Sequence, residues 1–222
     1  MPGGDVAARP MTATSVPRSI DRRLVMVDVA IKVATVVLLA WALLNPDLPQ
    51  FSGKAFTGRA IAYPIALLVL PVAWWVFARP RGLPFPAGAD ILLGLPFLLD
   101  VVGNALDLYD SVDWWDDANH LVNWALHTAA IGLLLRWGPW GPWTRAALAF
   151  GWAAATAVLW ELTEYVAFVP NSPEAATAYQ DTLGDLALGL LGGAVAAIAV
   201  SRLPASPRVG TSSADPRIVE RG

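Results

Sequence analysis

Six apolar stretches dominate this chain, each about as long as the hydrocarbon core of a bilayer is thick. They run from just after Arg23 to Leu44, then about Ala60 to Ala78, Ile91 to Tyr109, Ala118 to Leu135, Ala146 to Phe168 and Asp181 to Val200. A spanning helix needs about 20 mainly apolar residues, because every backbone donor and acceptor must be satisfied within the segment. No small-residue cleavage site follows the first stretch, so it reads as a span and not as a leader. Of the 222 residues 56% are hydrophobic and 15% charged, where a soluble domain carries about 25% charged residues. The expected fold is all-α, a polytopic membrane bundle of six transmembrane helices over residues 22–203. Residues 1–21 and 204–222, rich in Pro, Ser and Arg, are expected to be disordered cytoplasmic segments.

The loops alternate in charge. Arg9, Arg18, Arg22 and Arg23 precede the first span, Arg79 and Arg81 follow the second, and Arg136 and Arg145 follow the fourth. Arg202, Arg208, Arg217 and Arg221 follow the sixth. The opposite loops hold Lys54 and Arg59, then mainly Asp110, Asp113, Asp116, Asp117 and Glu174. Positive charge stays on the cytoplasmic side, which predicts cytoplasmic termini in a bacterial inner membrane. A net charge of −3 without a basic block gives no footing for nucleic acid. The chain has no cysteine, so disulfides, thiolate nucleophiles and Cys-ligated metals are excluded.

Polar residues inside such spans are costly and face a bundle interior or a water-filled cavity. Asp100, Asn104 and Asp107 stand at i, i+4, i+7, the latter two within about 40° of Asp100 on one helical face. Asp116, His120, Asn123 and His127 stand at i, i+4, i+7, i+11 and hold both histidines of the chain. Glu161 and Glu164 close the fifth span, and Asp181 and Asp185 open the sixth. The predicted orientation puts these groups from four helices in one layer of the outer leaflet. Mixed carboxylate and imidazole sets suit Zn²⁺, Mn²⁺ or Fe²⁺. Asp116, His120, Glu161, Glu164, Asp181 and Asp185 are therefore the candidate metal ligands. Asp100 and His127 are the candidate proton-moving residues, with Asn104, Asp107 and Asn123 supporting them.

Plainer readings stand beside these. Asp116, Asp117 or Asp181 could cap a helix start, and Asn104 and Asn123 could bond helix to helix. Asp28 and Lys32, four apart, are expected to form a local ion pair whose ends snorkel to the headgroups. Trp74 and Trp75, and the Trp residues of the 136–145 stretch RWGPWGPWTR, fit an interfacial belt. Pro96, four residues before Asp100, is expected to kink the third span. Gly184, Gly189, Gly192, Gly193 and Ala196 give the sixth span a smooth face for close packing. The inner half of the bundle reads as nearly free of ionisable groups.

Asp100 with Asn104, the run Asp116-Asp117-x-x-His120, Glu161 with Glu164, and Asp181-Thr182 with Asp185 resemble the YjdF-like family of bacterial inner-membrane proteins. The resemblance covers about residues 90 to 195, more loosely the first two spans, and implies a multi-pass inner-membrane protein without a settled activity. More distantly the chain is similar to VanZ-like membrane proteins, whose pattern is Asp-Lys-x-x-His, a later Glu, then Asp-x-x-x-Asn-x-x-Gly. Asp117 stands in place of that Lys and Gly189 in place of that Asn, while Gly192 fits.

The expected function is a metal-dependent enzyme acting on a membrane lipid or lipid-linked substrate. The rivals are a proton-coupled transporter, with the same groups as a relay, and a non-enzymatic scaffold for a membrane complex. An intramembrane CAAX-type protease is disfavoured, because no Glu-Glu-x-x-x-Arg run is present.

Overall fold

The computed structural model describes residues 21–167 and 173–204. The expectations for the two tails fall, apart from Asp21 and Pro204, outside the described residues, as do residues 168–172. Among the described residues all regular structure is helical: α1 Arg22–Leu44, α2 Phe56–Ala73, α3 Ala87–Ala105, α4 Leu108–Ser111, α5 Trp115–Leu135, α6 Pro142–Ala167 and α7 Ala178–Ser201. A π-helical turn, Trp74–Ala78, and a 3-10 turn, Arg79–Arg81, prolong α2, and another 3-10 turn, Pro173–Ala176, precedes α7.

Five of these helices are long and apolar enough to cross a membrane: α1, α2 with its extension, α3, α6 and α7. The fourth expected span corresponds to α5, which has the length, 21 residues, but carries the polar stripe through its first half. Large apolar side chains stand exposed along the outer helices, among them Val33 and Val37 on α1, Ile61 and Ile65 on α2, and Val195 and Ile198 on α7. Water does not tolerate apolar faces on that scale, whereas lipid does.

Two groups of helices meet at the α3–α5 contact. α1 and α2 pack on α3, while α6 and α7 pack on α5 and on each other. α1 shows why: Asp28, Ile31, Thr35, Leu39 and Ala42 are its buried residues, recurring every three or four positions, so one stripe faces the bundle. At the loop end of that stripe Leu39, Ala42, Phe51, Phe56, Tyr63 and Val101 form a core cluster. Phe51 sits edge-on to both Trp41 and Phe56, with ring centroids 5.0 Å apart in each pair. It fastens the α1–α2 loop down over the bundle.

Four expectations are corrected. First, α3 ends at Ala105 and not at Tyr109, and Asp107 adopts a left-handed backbone with φ 59°. The chain folds back there, so Asp107 leaves the face of Asp100 and Asn104 and is exposed. Second, the helix-capping readings fail. α5 is capped at Trp114 and α7 at Thr177, which leaves Asp116, Asp117 and Asp181 inside their helices.

Third, Lys32 does not snorkel. Its Nζ lies 2.5 Å from Asp28 Oδ1 and 2.5 Å from Asp90 Oδ2 on α3, and both carboxylates are buried. The half of the bundle opposite the acidic loops therefore holds a charged triad tying α1 to α3, where few ionisable groups were expected. Fourth, Arg136 and Arg145 are not simply loop charges. Arg145 is buried and donates from Nη2 to the Leu203 carbonyl at 2.7 Å, and Arg136 donates from Nε to the Pro204 carbonyl at 2.7 Å. Cations at carbonyls just past a helix C-terminus offset the negative end of its dipole. The tryptophans divide: Trp75, Trp140 and Trp143 are exposed as a belt requires, while Trp74 turns inward and donates to the Leu83 carbonyl at 3.0 Å.

Candidate functional site

Small residues bring the polar groups together. On α6 the buried positions are Arg145, Ala146, Ala149, Ala153, Ala157 and Glu161, a ladder of alanines that ends in a carboxylate. On α7 the buried stripe starts with the other carboxylate, Asp185, and continues through Gly189, Gly192 and Gly193. A Cβ at Gly192 would lie 1.9 Å from the Leu121 carbonyl oxygen, and one at Gly189 would lie 2.4 Å from the Trp124 ring. The backbones of α5 and α7 are thus in contact one residue past His120. The smooth face expected for α7 exists at Gly189, Gly192 and Gly193, whereas a Cβ at Gly184 would meet nothing within 4 Å.

His120 is the meeting point and is itself buried. Its Nε2 lies 3.7 Å from Asp116 Oδ1 on its own helix and 3.8 Å from Asp185 Oδ1 on α7. Its Nδ1 lies 3.5 Å from Glu161 Oε1 on α6. Ligand atoms of Asp116, His120 and Asp185 lie within 4.8 Å of one another, and so do those of His120, Glu161 and Glu164. These separations are too long for hydrogen bonds. Nδ1 of His120 and Oε1 of Glu161 are both buried without a hydrogen-bond partner, a state that native structures seldom leave unexplained. A set of donor atoms spaced around a gap, with His120 Nδ1 and Glu161 Oε1 unspent among them, has the chemistry of a cation site. Two carboxylates and an imidazole nitrogen on one side of the ring match the ligand types of Zn²⁺, Mn²⁺ and Fe²⁺.

A second polar group stands across the same cavity. Asp100, buried on α3, accepts from the Tyr63 hydroxyl at 2.7 Å, the Tyr109 hydroxyl at 3.3 Å and Asn104 Nδ2 at 3.3 Å. Arg59 Nε lies 3.4 Å from its Oδ2. Gly103 makes the Tyr109 contact feasible: a Cβ there would meet the Trp115 and Tyr109 rings at 2.3 and 2.8 Å. Tyr109 lies beyond the end of α3, and burial pushes its hydroxyl above the usual tyrosine range, so it stays protonated and donates. At the rim Lys54 forms an ion pair with Asp110.

Members of both groups line one cavity of about 930 Å³, although Asp185 is not part of its wall. Asp100, Asn104, Asp107, Asp116, His120, Asn123, His127, Glu161, Glu164 and Asp181 all contribute to its wall. The layer expected from four helices is therefore a shared cavity, but its members differ in place. Asp181 is exposed at the rim and outside the two ligand groups. His127 lies two turns below His120, about 10 Å along the axis, edge-on to Trp124 with centroids 5.1 Å apart. His127 Nδ1 and Asn123 Oδ1 are buried without hydrogen bonds.

Arg59, Tyr63, Tyr109 and Lys54 belong to the site and were not among the candidate site residues. The i, i+4 spacing of Arg59 and Tyr63 was available as a signal, but Arg59 was read as a loop charge. The Tyr109 contact depends on the break at Asp107, which no periodicity announces.

Apolar helices enclosing a carboxylate-rich cavity define a polytopic membrane protein. The chain belongs to the family described as predicted membrane protein (DUF2238), whose model matches residues 27–206. That agrees with the YjdF-like resemblance, and nothing in the comparisons supports the VanZ-like one. No curated protein matches, and no solved structure matches.

Proposed function

We propose that this protein is a six-span inner-membrane enzyme, with cytoplasmic termini, that acts on a lipid or lipid-linked substrate with a divalent metal at His120. The observation that carries the reading is the placement of His120. Its ring addresses carboxylates from three helices, and Nδ1 and Glu161 Oε1 lack any hydrogen bond. One ring nitrogen cannot both ligate and donate, so the two sides of the imidazole must divide the work. Nε2 with Asp116 and Asp185 would hold the metal, while Nδ1–H is directed at Glu161, the carboxylate–histidine arrangement that orients ligating imidazoles.

A Zn²⁺, Mn²⁺ or Fe²⁺ ion held there would supply Lewis acidity toward a phosphoryl or acyl oxygen, or toward a water. Glu164, half-buried beside Glu161, is the group placed to accept a proton. His127 and Asn123 reach a deeper part of the cavity, where their unspent polar atoms would meet substrate. Asp100 was expected to move protons, but its three hydrogen-bond donors and its guanidinium neighbour suit it better to orienting Arg59. Asp181 at the rim would attract cations without ligating.

The test is elemental analysis of detergent-purified wild type beside His120→Ala, Asp185→Asn and Glu161→Gln, each checked for monodispersity. A stoichiometric transition metal in wild type, lost from the first two and held about 10- to 100-fold more weakly in the third, is expected. A metal-free, well-folded wild type, or unchanged content in His120→Ala, would remove the reading.

Proton-coupled transport is the second reading, and the Asp28–Lys32–Asp90 triad favours it by putting ionisable groups in the opposite half of the bundle. α3 carries both Asp90 and Asp100, about 15 Å apart along its axis. Proton flux in liposomes, abolished by Asp90→Asn, would distinguish this reading.

A further inference from the structure

We infer that Arg59 is an anion-recognition residue, and that the substrate of this cavity carries a phosphate group which the guanidinium receives. This deepens the proposed function and rests on it, because carboxylates outnumber cations on the cavity wall. A bound divalent cation would offset them and favour the entry of an anion.

Arg59 is held on three sides. Nη1 donates to the Lys54 carbonyl at 2.8 Å, Nε faces Asp100 at 3.4 Å, and the guanidinium lies over the Phe56 ring, 5.2 Å from its centroid. Asp100 in turn is fixed by Tyr63, Tyr109 and Asn104. The side chain is thus oriented before any ligand arrives, which lowers the entropic cost of binding.

Its charge is only partly spent on Asp100. A bidentate guanidinium–carboxylate pair has two parallel contacts of about 2.7–2.9 Å, whereas here one nitrogen lies at 3.4 Å. The guanidinium also shares a side-chain hydrogen bond with Tyr63, and Lys54, Asp100 and Tyr63 together do not exhaust its five N–H donors. The remaining N–H donors, on a side chain that lines the cavity, are left for a further acceptor.

Depth selects phosphate among anions. Arg59 is the fourth residue of α2, at the boundary level where lipid phosphates lie if α2 spans the bilayer. Lys54, also on the cavity wall, adds a second cation at the rim. Its partner Asp110 is exposed, and exposed ion pairs are weak enough to exchange partners. Glu164 lies within electrostatic reach of both Arg59 and Asp100, so the anion subsite and the His120 cluster adjoin each other. A phosphate source can be a lipid headgroup or a soluble phosphate ester, and both share this chemistry.

The experiment measures ligand retention by native mass spectrometry in a phosphate-free maltoside detergent. The probes are phosphatidic acid, diacylglycerol with the same acyl chains, and inorganic pyrophosphate. The proteins are wild type, Arg59→Gln, Arg59→Lys and, as a distant exposed cation, Arg79→Gln. Phosphatidic acid should be retained over diacylglycerol, with a loss of about tenfold or more in Arg59→Gln, an intermediate loss in Arg59→Lys, and none in Arg79→Gln. Arg59-dependent retention of phosphatidic acid alone assigns a lipid phosphate, and retention of pyrophosphate as well assigns the phosphate group itself. Should Arg59→Gln not fold, Arg59→Lys carries the test, since it keeps the charge and loses the fork. Equal retention by wild type and Arg59→Lys in that case, or by wild type and Arg59→Gln otherwise, overturns the inference, as does failure of wild type to prefer phosphatidic acid or bind pyrophosphate. Metal content is measured on the same samples. Arg59-dependent binding in metal-free protein would retain the anion subsite and remove the metal reading, and a loaded metal without an Arg59 effect would do the reverse.

Discussion

Substituting Gly192 with alanine should damage both the fold and the site, while the same change at Gly184 should do neither. A Cβ at Gly192 would stand 1.9 Å from the Leu121 carbonyl oxygen. The shortest tolerated carbon–oxygen contact is about 3.3 Å, so α5 and α7 must part locally by roughly 1.4 Å. The obstacle is backbone, which cannot rotate aside. Overpacking of this kind costs about 1–3 kcal/mol, and a backbone clash belongs at the upper end. Asp185 lies two turns up the same helix, about 10.5 Å away, and metal ligands tolerate only about 0.2 Å of displacement. The α5–α7 shift should therefore remove Asp185 from His120 as well. Gly184→Ala meets open space and replaces the poorer helix former, so it should stabilise by about 0.5–1 kcal/mol. Thermal unfolding in detergent by circular dichroism, with metal content on the same samples, reads both effects. If Gly192→Ala matched wild type in stability and metal, the close approach of α5 and α7 would be refuted, along with the account of how Asp185 reaches the site.

Lys32→Met leaves two buried carboxylates facing each other without their cation, and should cost about 3–5 kcal/mol in equilibrium unfolding. Adding Asp28→Asn and Asp90→Asn to it should restore most of that loss, and no recovery would count against the triad. Tyr63→Phe removes the shortest hydrogen bond to Asp100 and should cost about 1.5–3 kcal/mol, the range for a bond to a charged group. Its phosphatidic acid retention should fall along with that of Arg59→Gln, because Asp100 then holds Arg59 less firmly. Phe51→Ala opens a cavity between Trp41 and Phe56 and should cost about 3–5 kcal/mol, read as a lower unfolding midpoint with metal content intact.

What the sequence made legible was one-dimensional. Apolar length gave the helices, and i, i+4 spacing gave the α5 stripe from Asp116 through His120 to His127, because both quantities repeat along the chain. What it hid depends on the third dimension. Lys32 was read with Asp28 alone because they share a helix. Asp90, 58 residues further on, becomes its partner only when α1 lies on α3. Asp107 has the periodicity of Asn104 and Asp100 but lies past the end of its helix, and a left-handed residue is not visible in a hydrophobic pattern. Asp116 and Asp181 looked like caps because aspartate near a helix start usually is one. Their helices begin one to three residues earlier, so neither residue stands at the N-cap position.

The least apolar long helix lies where hydropathy alone would not place it. α5 falls outside the set of helices that qualify as spans by apolarity, yet it packs against α3, α6 and α7. These two facts explain each other. A helix shielded on three sides has little need of lipid-compatible side chains, and its polar residues face protein or the cavity instead of hydrocarbon. The shielding helices must then be small where they touch it, which is the role of Ala153 and Ala157 on α6 and Gly189, Gly192 and Gly193 on α7. Close approach of this kind is also what narrows the gaps from His120 to Glu161 and from His120 to Asp185 to below 4 Å. The apolar deficit of α5 and the glycine stripe of α7 are therefore one structural decision. A chain that enlarged the glycines would have to give up the imidazole–carboxylate cluster, and one that made α5 apolar would no longer need it at the centre.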